Sequence, residues 1–188
     1  PLVGSSSSPM MLSKVDLPAP FSPQIAWISP FLTLRLTSYN GYPAIRKLLL
    51  KELDNGALIV NYSGHGSGEV LSPALVLKKA DVRNLNSKHL PFWITASCDV
   101  APFDNPPESF GLNLVRNETG GAIGILSTTR TVYASLNRSM NLSFTRYVLA
   151  NGTDGQPNTL GDALRLAKNE LVTSSLDRKS GSAGMPRP

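Results

Sequence analysis

The chain has one cysteine in 188 residues. A single thiol forms no internal disulfide and cannot build a Cys-rich zinc or iron–sulfur site. Two histidines are too few for a His-rich metal site. No uninterrupted run of about 18 apolar residues occurs, so no segment reads as a membrane-spanning helix. Charge is sparse, with Asp, Glu, Lys and Arg at 16% and a formal balance of +5. The sequence pI is near 9.5. The lysines and arginines are scattered without a run, a weak argument for nucleic acid, and none is expected as a partner. The start lacks a charged segment followed by a long apolar one, so no signal peptide is read there. What is present is a hydrophobic fraction of 41%, at a length that fits one domain with a real core, with or without a tail.

Residues 1–40 differ in kind from the rest, with 8 Ser and 6 Pro and only Lys14, Asp16 and Arg35 charged. They show neither helical nor strand period, and the prolines interrupt both. The expectation is a disordered segment or one foreign to the domain. Order begins near residue 42. Pro43 suits the first turn of a helix, Ile45, Leu48, Leu49 and Leu53 recur at helical spacing, and Asn55-Gly56 closes it. Ala57–Tyr62 is a short apolar run of strand length, followed by the glycine-rich Ser63–Gly68. Residues 78–86 read as a short helix, Phe92–Ala96 as a second strand and 102–107 as loop. A helical turn is expected over 110–115, a third strand over Ala122–Leu126, and helices over 136–149 and 160–172, the last opened by Thr159 as N-cap. Continuous apolar strands alternating with helices predict an α/β domain with a mainly parallel sheet. The expected organisation is an unmatched segment 1–40, a catalytic core 41–175 and a disordered tail 176–188.

In open α/β sheets functional groups collect beyond the carboxyl ends of the strands. His65 follows the first apolar strand there and Cys98 the second. If those strands are parallel neighbours, both side chains emerge on one sheet edge. That is the placement a Cys–His dyad requires, a thiolate nucleophile beside an imidazole that takes and returns its proton. Gly64 and Gly66 flank the histidine and leave room for a substrate backbone. The amides of Gly66 and Cys98 are the natural donors to an oxyanion. The alternative for each residue alone is structural: a buried thiol acting as a small hydrophobe, and a Gly-His-Gly turn that is only a turn.

The stretches Asn55–Gly66, Leu90–Asp99, Phe103–Pro106, Gly120–Ser135 and Leu160–Ala163 resemble the gingipain-type cysteine peptidases of the caspase-like clan. Within that family they are most similar to the signal peptidases/sortases of type IX secretion. The resemblance spans residues 42–172, and its strongest mark is a His-Gly and a Ser-Cys, each closing an apolar strand, 33 positions apart. It implies a caspase-like three-layer α/β sandwich, here an incomplete domain. It matches His65 to the catalytic histidine, Cys98 to the nucleophile, and Gly66 and Cys98 to the oxyanion amides. It implies polypeptide substrates, namely secreted proteins with C-terminal sorting domains, with other secretion components as further partners. The implied place is the bacterial outer surface or the secreted fraction. No cofactor is required, and a structural calcium is not readable from the sequence. Relatives often carry Gly-Glu where this chain has Phe110-Gly111-Leu112, and an upstream subdomain and further downstream strands are missing.

Asp99 and Asp104 flank the nucleophile loop, and Arg130 lies at the carboxyl end of the third strand. Asp99 and Asp104 are candidates for a subsite that accepts a basic side chain, or else serve turns beside prolines. Arg130 is a candidate for binding a substrate carboxylate, or else forms a structural ion pair. Glu69 reads as a solvated loop charge rather than the acid that orients His65. His89 reads as a loop residue. A competing function class is a non-catalytic interaction or scaffold fragment of a gingipain-like protein.

Overall fold

The computed structural model describes residues 11–14, 29–35, 42–73, 75–104 and 108–173. A five-stranded sheet organises them. Its strands are β1 (Met11–Lys14), β2 (Ser29–Arg35), β3 (Ala57–Ser63), β6 (Phe92–Ala96) and β7 (Gly124–Leu126), in that spatial order. β1 pairs antiparallel with β2, and every other neighbour is parallel. The remaining strands, β4 (Val70–Leu71) and β5 (Leu77–Lys78), form a small antiparallel hairpin.

Among the described residues, five helices cover the sheet: α1 (Tyr42–Asn55), α2 (Lys79–Arg83), α3 (Phe110–Arg116), α4 (Ala134–Val148) and α5 (Leu160–Thr173). Successive residues of a strand face opposite sides. Tyr62 and Trp93 therefore turn to one core with Leu49 and Leu53 of α1, Val82 of α2 and Phe110 and Leu114 of α3. Ile59 and Ile94 turn to the other, with Met140 and Phe144 of α4 and Ala163, Ala167 and Leu171 of α5. Apolar burial on both faces is why the strands read as unbroken hydrophobic runs. The result is three layers, with α1–α3 on one side of the sheet and α4–α5 on the other.

Local chemistry sets the boundaries. Gly56 ends α1 at φ +94°, and its N–H donates to the Leu53 carbonyl at 3.1 Å. Thr159 caps α5 by accepting from the Asp162 N–H at 3.1 Å, while its hydroxyl donates to the Asp162 carboxylate at 2.8 Å. The helix expected over 78–86 is shorter: Asn84 leaves helical geometry at φ −96°, ψ 0°.

The first forty residues depart from the sequence expectation. Two strands lie there, and β2 pairs in parallel with β3 from Ser29↔Ala57 to Arg35↔Ser63. Pro30 is tolerated because it sits at the start of the strand, where a ladder donor is least needed. The other residues of the 1–40 stretch, and the 176–188 tail, lie outside the described residues. No helix is long and apolar enough to cross a membrane among the described residues.

Candidate active site

β3 and β6 are hydrogen-bonded parallel neighbours, and their last register pair is Ser63↔Ala96. His65 stands two residues beyond the first member of that pair and Cys98 two beyond the second. Parallel pairing therefore delivers both residues to one edge of the sheet, at the same height, just beyond adjacent strands. Gly64 N–H donates to the Ala96 carbonyl at 3.3 Å and carries the alignment past the strand ends.

The two loops are packed directly on each other. A Cβ on Gly66 would overlap Ser97 Oγ and stand 2.9 Å from Val100 Cγ2. A Cβ on Gly64 would lie 2.7 Å from the Tyr62 hydroxyl. The glycines around His65 are thus demanded from inside the molecule, whereas the sequence suggested only room for a substrate.

The His65 loop is pinned through its own carbonyl. The Tyr62 hydroxyl, on a side chain 1% exposed, donates to the His65 carbonyl at 2.6 Å. Ser72 N–H donates to the same oxygen at 2.8 Å, and Ser67 N–H donates to the Val70 carbonyl at 2.9 Å. These bonds flank a bridge between Gly66 and Leu71. The bridged pair itself makes none of them, so the Gly66 N–H is turned away from Leu71. The imidazole of His65 is exposed and makes no hydrogen bond among the described residues. Glu69 pairs with Lys79.

The Cys98 loop is held by the segment after β7. Thr128 Oγ1 donates to the Ser97 carbonyl at 2.5 Å, and Asn137 Nδ2 donates to it at 3.4 Å. Asp99 N–H donates to the Arg130 carbonyl at 3.3 Å, and Ala101 N–H to the Thr128 carbonyl at 3.0 Å. Cys98 is half-buried, and its S–H donates weakly to the Val132 carbonyl at 3.8 Å. The thiol and the imidazole are not hydrogen-bonded to each other in this state. Catalytic hydrogen bonds often tighten only when a substrate is bound.

Asp99 adopts φ +49°, a left-handed conformation that Asp tolerates better than most residues. It reverses the chain immediately after the nucleophile, and its carboxylate accepts from Thr131 Oγ1 at 2.9 Å. Asp104 and Arg130 form a two-pronged ion pair. The hydrogen bond from the Arg130 guanidinium holds the Asp104 carboxyl below its ordinary value of 3.8, and the same bond raises Arg130. Of the two readings for Arg130, the ion pair is the contact formed. His65, Gly66, Cys98, Asp99, Asp104 and Arg130 thus belong to three loops that meet beyond β3, β6 and β7.

Sequence reasoning passed over Tyr62, Ser97 and Thr128. Tyr62 and Thr128 act through carbonyls, for which a sequence carries no spacing signal. Ser97 Oγ is buried without a hydrogen bond among the described residues. Among the described residues, no group of three His, Cys, Asp or Glu side chains is placed to hold a metal.

The crystal structure of the Arg-specific cysteine proteinase gingipain R aligns with a TM-score of 0.62 at 20% identity, covering 69% of this chain and 31% of that one. The complex of Porphyromonas gingivalis RgpB pro- and mature domains aligns with a TM-score of 0.60 at 20% identity, covering 68% and 31%. The chain thus spans 31% of the length of each of these structures. No curated protein matches it. The profile of peptidase family C25 matches residues 11–185. The caspase-like α/β architecture expected from the sequence is therefore present, and the chain belongs to peptidase family C25, the gingipain family.

Proposed function

We propose that this chain carries the nucleophile and the acid–base residue of a cysteine endopeptidase or sortase-like transpeptidase. The observation that supports this most is the parallel register of β3 and β6, which sets His65 and Cys98 at equal distance beyond Ser63↔Ala96. His65 accepts the Cys98 thiol proton as the sulfur attacks a peptide carbonyl carbon. The C=O π pair moves onto oxygen, and the amides of Gly66 and Cys98 donate to the oxyanion. Collapse breaks the C–N bond, and the imidazolium returns its proton to the leaving amine. A thioester on Cys98 remains. Water then attacks for hydrolysis, or an amine for transfer, with His65 taking the acceptor's proton as the C–S bond breaks. The chemistry needs no cofactor.

The substrate class in this reading is secreted protein carrying a C-terminal sorting domain, processed at the bacterial outer surface in the manner of the signal peptidases/sortases of type IX secretion. It rests on the sequence resemblance around His65 and Cys98. Asp99 and Asp104 are kept as candidate contacts to substrate. Arg130 is kept with them, although its charge is engaged by Asp104. The test is incubation of the chain with a secreted protein bearing such a domain, followed by mass spectrometry of the products. A cleaved or transferred product lost in Cys98→Ala supports the reading, and an unchanged substrate in every case overturns it.

A second reading, a non-catalytic interaction or scaffold role, draws on the Cys98 S–H being turned to the Val132 carbonyl. It predicts that no acyl adduct forms on Cys98.

A further inference from the structure

The peptide unit is planar and trans, so a carbonyl oxygen and the N–H of the next residue point in opposite directions. Fixing one carbonyl therefore aims the following amide. The carbonyl before Gly66 belongs to His65 and is held by the Tyr62 hydroxyl at 2.6 Å. The carbonyl before Cys98 belongs to Ser97 and is held by the Thr128 hydroxyl at 2.5 Å. Both hydroxyls belong to buried residues, Tyr62 at 1% and Thr128 at 7% exposed. Each carbonyl has a second, weaker or longer support: Ser72 N–H at 2.8 Å for His65, and Asn137 Nδ2 at 3.4 Å for Ser97.

Neighbouring amides show the same partition. Asp99 and Ala101 N–H donate into the 128–130 segment. Gly66 N–H and Cys98 N–H have no acceptor among the described residues.

We infer that Tyr62 and Thr128 are positioning residues that aim the two oxyanion amides through the carbonyls of His65 and Ser97. This deepens the peptidase reading and rests on it. Neither hydroxyl touches substrate. Their effect falls on the step that develops negative charge on a carbonyl oxygen, and not on other reactions of the thiol.

The test compares two reactions of Cys98 in the full chain. Iodoacetamide alkylates the thiolate by displacing iodide at a saturated carbon and builds no oxyanion. p-Nitrophenyl acetate acylates it: sulfur bonds to the carbonyl carbon, charge passes through the oxyanion, and p-nitrophenolate leaves. Thr128→Val is expected to slow acylation by about tenfold or more while leaving alkylation within about twofold, since one whole oxyanion donor contributes about 100-fold to 1,000-fold. Thr128→Ser restores acylation. Tyr62→Phe slows it by several-fold, because Ser72 still holds the His65 carbonyl, and serves if Thr128→Val does not fold. Acylation at the wild-type rate in both single variants overturns the inference. So does a parallel loss of acylation and alkylation without rescue by serine, which marks a structural role. Absence of any Cys98 acylation in the wild type overturns the peptidase reading itself, and the inference with it.

Discussion

Replacing Gly66 by alanine puts a single methyl group between the His65 and Cys98 loops. Its carbon would overlap Ser97 Oγ and stand 2.9 Å from Val100 Cγ2. Carbon atoms settle at about 3.5–4.0 Å, so the loops must separate by roughly 0.5 Å or more. Neither side gives easily. Val100 is fully buried, and Ser97 is fixed through its carbonyl by Thr128. Overpacking of this kind costs about 1–3 kcal/mol. The functional cost is larger, because the displaced amide is the proposed oxyanion donor and a misplacement of about 1 Å lowers rates by about 100-fold. Thermal melts and p-nitrophenyl acetate acylation read the two effects separately. Ser97→Ala alone should be nearly neutral, since its buried hydroxyl makes no hydrogen bond among the described residues. Combined with Gly66→Ala, it should recover part of the loss, because it removes the Ser97 Oγ overlap but leaves the residue-97 Cβ at 3.3 Å and Val100 Cγ2 at 2.9 Å. A Gly66→Ala protein with wild-type melting and wild-type acylation would refute the contact between the loops, and with it the packing explanation for the glycines.

Further predictions concern the scaffold. Gly56→Ala should destabilise by about 1–2 kcal/mol, the cost of a side chain at positive φ, because Gly56 sits at +94° with the His89 ring 3.0 Å from the added carbon; chemical denaturation measures it. Phe144→Ala, at a side chain 1% exposed in the core beneath α4 and α5, should cost about 3–5 kcal/mol in the same assay. Asp104→Asn tests the ion pair to Arg130 by melting temperature against pH. The folded carboxyl lies below its ordinary value of 3.8, so the pair contributes above that pH and its contribution disappears as acid protonates Asp104. Both partners are solvent-exposed, so the difference from wild type should be small and should vanish in acid. A difference that grows as the pH falls would contradict the assignment.

The features legible in the sequence were those set by local chemistry. Asn55-Gly56 marked the end of α1, Thr159 the start of α5, and two apolar runs the adjacent parallel strands that carry His65 and Cys98. Less legible were elements defined by distant partners. β2 does alternate, in Leu32-Thr33-Leu34-Arg35, but it lies in a stretch whose serines and prolines read as irregular, and β1 is too short to carry a period; both are strands because they pair in the sheet. The β4–β5 hairpin escaped for a different reason. Its turn places Ser72 at φ +69° and Leu75 at +58°, where glycine or asparagine would have announced it. The candidate site divides in the same way. Side chains that would do chemistry stood out by type and position, whereas Tyr62 and Thr128 act on carbonyls reached only after folding. Two asparagines show this too: Asn61 and Asn141, far apart in sequence, hydrogen-bond each other at 2.9 Å between β3 and α4.

The central claim is that Cys98 attacks a carbonyl while His65 handles its proton. Its most direct test is single-turnover acylation of the full chain at neutral pH, with the adduct mapped by mass spectrometry, in the wild type and in His65→Ala. The account predicts an acyl group on Cys98 in the wild type and a rate about 100-fold to 10,000-fold lower without the imidazole. Equal rates in the two proteins, or an adduct on any other residue, would contradict it.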